Sequence, residues 1–142
     1  MNLRPGLRQY LYGLPSIRGL VGARLHSEVV LSDEFPYVTF ERTSQGPDHH
    51  LNSATGLTSS SWRFDIFSLN IRTAELIGEA LRSGLDGLKH TTMRDVDVRW
   101  VGMTDQRDDF IPATDGSEPG IFTISQDYDI WHRESVPVFP AV

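Results

Sequence analysis

Hydrophobic positions along this chain repeat with two different periods, and the switch between them falls inside one stretch, Ser61 to Leu88. Trp62, Phe64, Ile66 and Ser68 alternate with Arg63, Asp65 and Phe67, the period-2 pattern of a half-buried β-strand. Ala74, Ile77, Gly78, Leu81 and Leu85 then recur at three- and four-residue steps while Arg72, Glu75, Glu79 and Arg82 take the other side, which predicts an amphipathic helix lying on a sheet. Asn70 is placed as its N-cap and Gly87 as the left-handed residue that ends it.

The same reading places elements on either side. Leu3, Leu7, Tyr10, Leu11 and Leu14 mark a short N-terminal helix with Pro5 in its first turn, and Ile17, Leu20 and Val21 one further turn. A poorly alternating strand is expected near 24–31. Tyr37 to Thr43, rich in β-branched and aromatic residues between Pro36 and Gly46, reads as a strand, and Ser44 to Ser60 as a long polar connection. After the central helix, Val96, Val98 and Trp100 are expected inward, with Asp95, Asp97 and Arg99 outward. A second polar excursion spans Thr104 to Pro119. Ile121 to Arg133 is a long last strand with Phe122, Ile124, Gln126, Tyr128 and Ile130 on one face. Helix, two paired strands, helix, two paired strands predicts an α+β two-layer sandwich: an antiparallel sheet of about four strands with two helices packed on one face. Residues 1–134 read as a single domain. Ser135 to Val142, apolar but broken by Pro137 and Pro140, reads as a tail, either a frayed end or an arm lying on a neighbour.

Composition narrows the chemistry. A chain of 142 residues can bury a sizeable core unaided, and with no cysteine it holds no disulfide, thiolate metal site or thiol nucleophile. Pro5-Gly6 and the early charges interrupt any signal peptide, and no stretch approaches a membrane span, so the chain reads as soluble and intracellular. Net charge is −6, with Lys89 the lone lysine among 13 basic residues. Such a surface argues against gripping a phosphate backbone and permits lying beside one.

Candidate catalytic groups are sparse. Asp48-His49-His50 is similar to a two-metal phosphoesterase motif, which needs further carboxylates from strand ends; here it sits in a polar stretch, and a small metal-dependent hydrolase built on it is the alternative from a different class. Asp127 and Asp129 share a strand face, as residues of an exposed face do. No nucleophile elbow or phosphate-binding glycine loop is present. Phe67, Val101 and Trp131 are expected together on the otherwise polar face of the sheet, where grouped apolar side chains mark a partner surface. Asp105, Asp108, Asp109, Asp115 and Glu118 against Arg107 make the second excursion strongly acidic.

Taken in order, Phe35-Pro-Tyr-Val-Thr-Phe, Arg63-Phe-Asp-Ile-Phe, Ala74 through Leu85-Asp-Gly, and Ile121-Phe-Thr-Ile-Ser-Gln-Asp-Tyr-Asp-Ile-Trp-His-Arg resemble the tail completion, or tail terminator, family of tailed bacteriophages. The resemblance spans about Leu3 to Glu134. It implies a non-enzymatic virion protein without cofactor, a homo-oligomeric ring, typically of six copies, at the head-facing end of the tail tube. Such a ring stops tube polymerisation and joins the tail tube protein to the head-side connector or closure protein. Genomic DNA passes through it without specific binding, and no membrane is involved. The place implied is the neck of the virion, with the host cytoplasm during assembly; another neck component, such as a head-closure ring, is the nearest alternative. In such a ring the acidic excursion would repel phosphate from the channel wall, and Phe67, Val101 and Trp131 would supply one subunit contact.

Overall fold

The computed structural model describes residues 3–26, 34–49, 54–113 and 120–133. Helices α1 (Leu3–Tyr12), α2 (Pro15–Val21) and α3 (Ile71–Leu85) accompany strands β1 (Leu25–His26), β2 (Tyr37–His49), β3 (Ala54–Ser68), β4 (Lys89–Met93), β5 (Val96–Ile111) and β6 (Ile121–Arg133). The strands form one curled, half-barrel sheet in the order β1-β2-β3-β6-β5-β4. Every pairing is antiparallel except β1 with β2, which is parallel.

This corrects the expected four-stranded antiparallel sandwich. The sheet has six strands, is mixed, and carries three helices. Both expected polar connections are largely strand. Residues 44–49 and 54–60 pair as the outer half of a β2–β3 hairpin, and Thr104 to Ile111 pair with β6. Their composition misleads because the positions they turn inward are polar: Thr58 and Ser60 of β3 are buried, and Gln106 and Asp108 of β5 lie beside α3, so no apolar alternation marks them.

The central helix forms as its sequence directs. Asn70 Oδ1 accepts the Arg72 N–H at 2.8 Å, and Gly87 takes φ +82° just beyond the last turn. Its stripe of Ala74, Ile77, Leu81 and Leu85 meets Trp62, Phe64 and Ile66 of β3 and Tyr128 and Ile130 of β6 in one buried core. Aromatic geometry organises that core. Phe40 stacks on Phe64 with ring centroids 5.3 Å apart, and Tyr128 meets Phe64 edge-on at 5.5 Å.

Helix α1 lies across the mouth of the curl and touches both edge strands, β1 and β4. Arg8 Nε donates to Leu25 O at 3.1 Å, and Tyr10 Oη donates to Gly84 O at 2.7 Å, binding α1 to α3. Gly6 lets the helix backbone reach β4, since a Cβ there would stand 2.5 Å from Met93 O. Gly6→Ala should therefore cost about 1–3 kcal/mol of stability, because backbone cannot give way as a side chain can. Gly19→Ala, in α2 with open space around it, should gain about 0.5–1 kcal/mol from helix propensity alone. Urea denaturation of the two variants checks both signs.

Candidate functional site

On the face away from the helices the strands carry a polar ladder. Glu41, Arg63, Asp127 and Asp105 stand in one cross-strand row over β2, β3, β6 and β5. Arg63 Nε lies 3.3 Å from Asp127 Oδ1, Arg107 Nη1 lies 2.9 Å from Asp127 Oδ2, and Arg107 also pairs with Asp105. Asp127 first, then Asp105, raises the Arg107 guanidinium above its ordinary pKa. In neighbouring rows Ser125 Oγ donates to Asp65 at 2.6 Å and Ser61 Oγ to Asp129 at 2.8 Å. Asp127 and Asp129 are thus held as acceptors within the ladder. Cross-strand pairs of this exposure are screened by solvent and chiefly fix register.

Phe67, Val101 and Trp131 do not come together. Phe67 is half-buried at one end of the sheet, stacked on Tyr37 at 4.7 Å and in register with Thr123. Trp131 lies on the same face but eight positions along β6 from that row, roughly 27 Å at strand rise. Val101 faces the core and is fully buried, while Trp100, expected inward, is 40% exposed. A register shift between Val98 and Trp100 exchanges their faces. Trp100 therefore stands directly across from Trp131, and Gly102 makes room for its indole. The bulge itself left no mark in the alternation of the sequence. The opposite end of the sheet carries a second exposed apolar group that sequence reasoning missed: Leu69, Ile71, Phe110 and Ile111, with Phe110 packed on Phe122 at 4.7 Å between centroids.

The acidic residues divide between two faces. Asp105 and Asp109 project with the ladder, opposite Asp127 and Thr123. Asp108, opposite Ile124, lines a cleft of about 340 Å³ between α3 and β5 together with Glu75, Glu79, Arg82 and Gln106. Asp115, Glu118 and the tail 135–142 lie outside the described residues, as does His50; Asp48 and His49 end β2. Among the described residues no three His, Asp or Glu side chains are grouped as metal ligands, and no helix is long and apolar enough to cross a membrane.

Beneath the cleft a buried amide joins three elements. Gln126 Nε2 donates to Gly78 O of α3 and to Gln106 Oε1 of β5, each at 2.9 Å, and Gln126 Oε1 accepts from Tyr128 Oη at 2.8 Å. Burial, reinforced by the charge of Asp86, pushes the Tyr128 hydroxyl well above the usual tyrosine range. The folded value lies above the unfolded value of about 10, so this contribution to stability is intact below about pH 10 and is lost as pH rises beyond it. Tyr128→Phe should be less stable at neutral pH by about 1–2 kcal/mol, through the orphaned Gln126 acceptor. It should also show a shallower alkaline decline, read from denaturation midpoints on either side of pH 10.

No protein-family model and no curated protein sequence matches the chain. Among solved structures, a chain from the virion of a native gene transfer agent (GTA) particle superposes with a TM-score of 0.71 at 12% sequence identity, covering 93% of this chain and 95% of that chain. At that identity the likeness is one of fold, and it extends over nearly the whole of both chains.

Proposed function

We propose that this chain is a structural protein of a phage-like virion. On this reading it is a neck component that forms a hexameric ring on the end of the tail tube, halts tube growth and presents the joining surface to the head-side connector or closure protein. The observation that carries the reading is the near-complete likeness in fold to a chain of the GTA virion, added to a sequence resemblance to tail terminators that rests on separate grounds. The role is architectural, with no catalytic residue and no cofactor, and DNA passes through the ring without being gripped.

The surfaces suit that role. A ring built from head-to-tail contacts needs two different patches on each subunit, and the molecule carries separate apolar groups at the two ends of its sheet, Trp100 with Trp131 and Phe110 with Phe122. The side of β5 bearing Asp105 and Asp109 offers a wall that repels phosphate, an effect that operates within the roughly 8–10 Å screening length of physiological salt.

Gold-labelled antibody against this chain should decorate the head–tail junction of particles from the source. Particles free of label, with the epitope shown to be accessible after disruption, would refute the neck role. Label at the junction together with capped, length-controlled tubes formed by tube protein plus this chain selects the terminator over a head-closure ring.

Trp131→Asp should leave the purified protein folded yet reduce its incorporation into particles at least tenfold, counted by immunoblot of purified virions; normal incorporation would remove Trp131 from the contact. Asp105→Lys with Asp109→Lys should assemble normally but lower DNA transfer per particle, measured as transduced genomes per virion.

A further inference from the structure

Strand β5 leaves the cover of β4 at Val101, where Gly87 N–H donates to Val101 O at 2.8 Å and Val101 N–H donates to Leu88 O at 2.9 Å. From Gly102 to Ile111 it has β6 on one side and, among the described residues, no strand on the other. Two N–H groups of this edge are met by carboxylates instead: Met103 donates to Asp86 Oδ1 at 3.0 Å and Phe110 to Asp109 Oδ1 at 2.8 Å. Alternate residues of an antiparallel strand turn their backbone groups to the same side, so the edge that presents Phe110 also presents Asp108 and Gln106. Such a row is a template for another strand. The β2 edge is blunted by Gly46 and Pro47, whereas β5 has no proline before Pro112 and carries its charges in alternation, Asp105, Arg107 and Asp109 on one face.

We propose that this edge pairs with the same edge of a second copy, antiparallel and about a two-fold axis. Three registers centred near the middle of the exposed stretch keep the faces continuous. Centring on Arg107 sets Asp105 against Asp109 twice and Arg107 against itself. Centring on Gln106 runs the ladder into the irregularity between Met103 and Asp105 and onto the Met103 N–H that Asp86 already holds. Centring on Asp108 uses the regular stretch Asp105–Ile111: each Arg107 faces Asp109 of the second copy, Asp105 faces Ile111, Gln106 faces Phe110, whose N–H exchanges the adjacent Asp109 carboxylate for the second copy, and Asp108 alone meets its own image. This register also covers Phe110 and Ile111, otherwise 47% and 46% exposed. It sets unlike charges opposite each other twice against one like pair, and a second copy supplies both partners. The contact is isologous and closed, unlike the head-to-tail contacts of a ring; it belongs to the free protein and goes beyond the neck reading.

Asp108→Cys tests the register directly in a chain that has no other cysteine. Hydrogen-bonded antiparallel partners have Cα atoms about 5.5 Å apart, within disulfide reach. Mild oxidant should convert the variant to a covalent dimer, and sedimentation equilibrium of the unaltered protein should give twice 16.0 kDa. Arg107→Asp should raise the dimer dissociation constant roughly tenfold, and adding Asp109→Arg should restore it. Both variants lack the Arg107–Asp127 pair, so loss of fold cannot produce that pattern. Asp108→Asn should tighten the dimer. A protein monomeric at all concentrations, a larger assembly in which Cys at 108 stays reduced, or a dimer indifferent to the charge exchange would each overturn the proposal.

Discussion

A mismatch of length governs this structure. Strand β5 has 16 residues and helix α3 has 15, but a strand advances about 3.3 Å per residue and a helix about 1.5 Å, so β5 is roughly 53 Å long and α3 about 22 Å. Apolar alternation marks the strands where α3 and the N-terminal helices meet them. Elsewhere β2, β3 and β5 carry mostly polar side chains and are held by their backbone ladders and cross-strand hydrogen bonds. Among the described residues, the segments 44–49, 54–60 and 104–111 are paired sheet.

Within the covered region the fold is closed by two devices. Helix α1 bridges β1 and β4 and so limits the opening of the curl, its close approach permitted by Gly6 against Met93. The Gln126 amide fastens α3 to the middle of β6 and β5 with every one of its described hydrogen bonds internal. A buried amide satisfied in this way fixes the helix axially on the sheet, since sliding by one turn would leave a donor or acceptor stranded at a cost of about 1–3 kcal/mol.

The functional reading rests on the likeness in fold, and the surfaces suit it. Arg63, Arg107, Asp105 and Asp127 on the outer face are engaged with one another, apolar groups sit at opposite ends of the sheet, and the strand with the most acidic residues, β5, is open along Gly102–Ile111 among the described residues. On the proposed reading those surfaces are places of contact with other virion proteins, and the fold is shared with a chain of the GTA virion.

Much of the covered region was legible in the sequence. The Ser61–Leu88 pattern fixed β3, α3, its Asn70 cap and the Gly87 end, and Ile121–Arg133 read as β6 with the right residues inward, because burial on one face imposes a period. The polar strand segments were not legible: Ser44–Ser60 and Thr104–Ile111 read as loops, since backbone pairing at a distance leaves no local hydrophobic signal where the inward positions, such as Thr58 and Ser60, are polar. Strand β4 was missed because its five residues are mostly exposed, and β1 was barely visible because two residues carry no period. The interface set of Phe67, Val101 and Trp131 failed for a related reason. One register shift in β5 turned Val101 inward and Trp100 outward, and the distance between Phe67 and Trp131 is set by strand register, which sequence spacing does not encode. The sequence by itself determined which segments bury a face; only the tertiary structure decided how far the sheet outruns its helices, which edge stays open and which side chains meet, because those depend on pairing between residues distant along the chain.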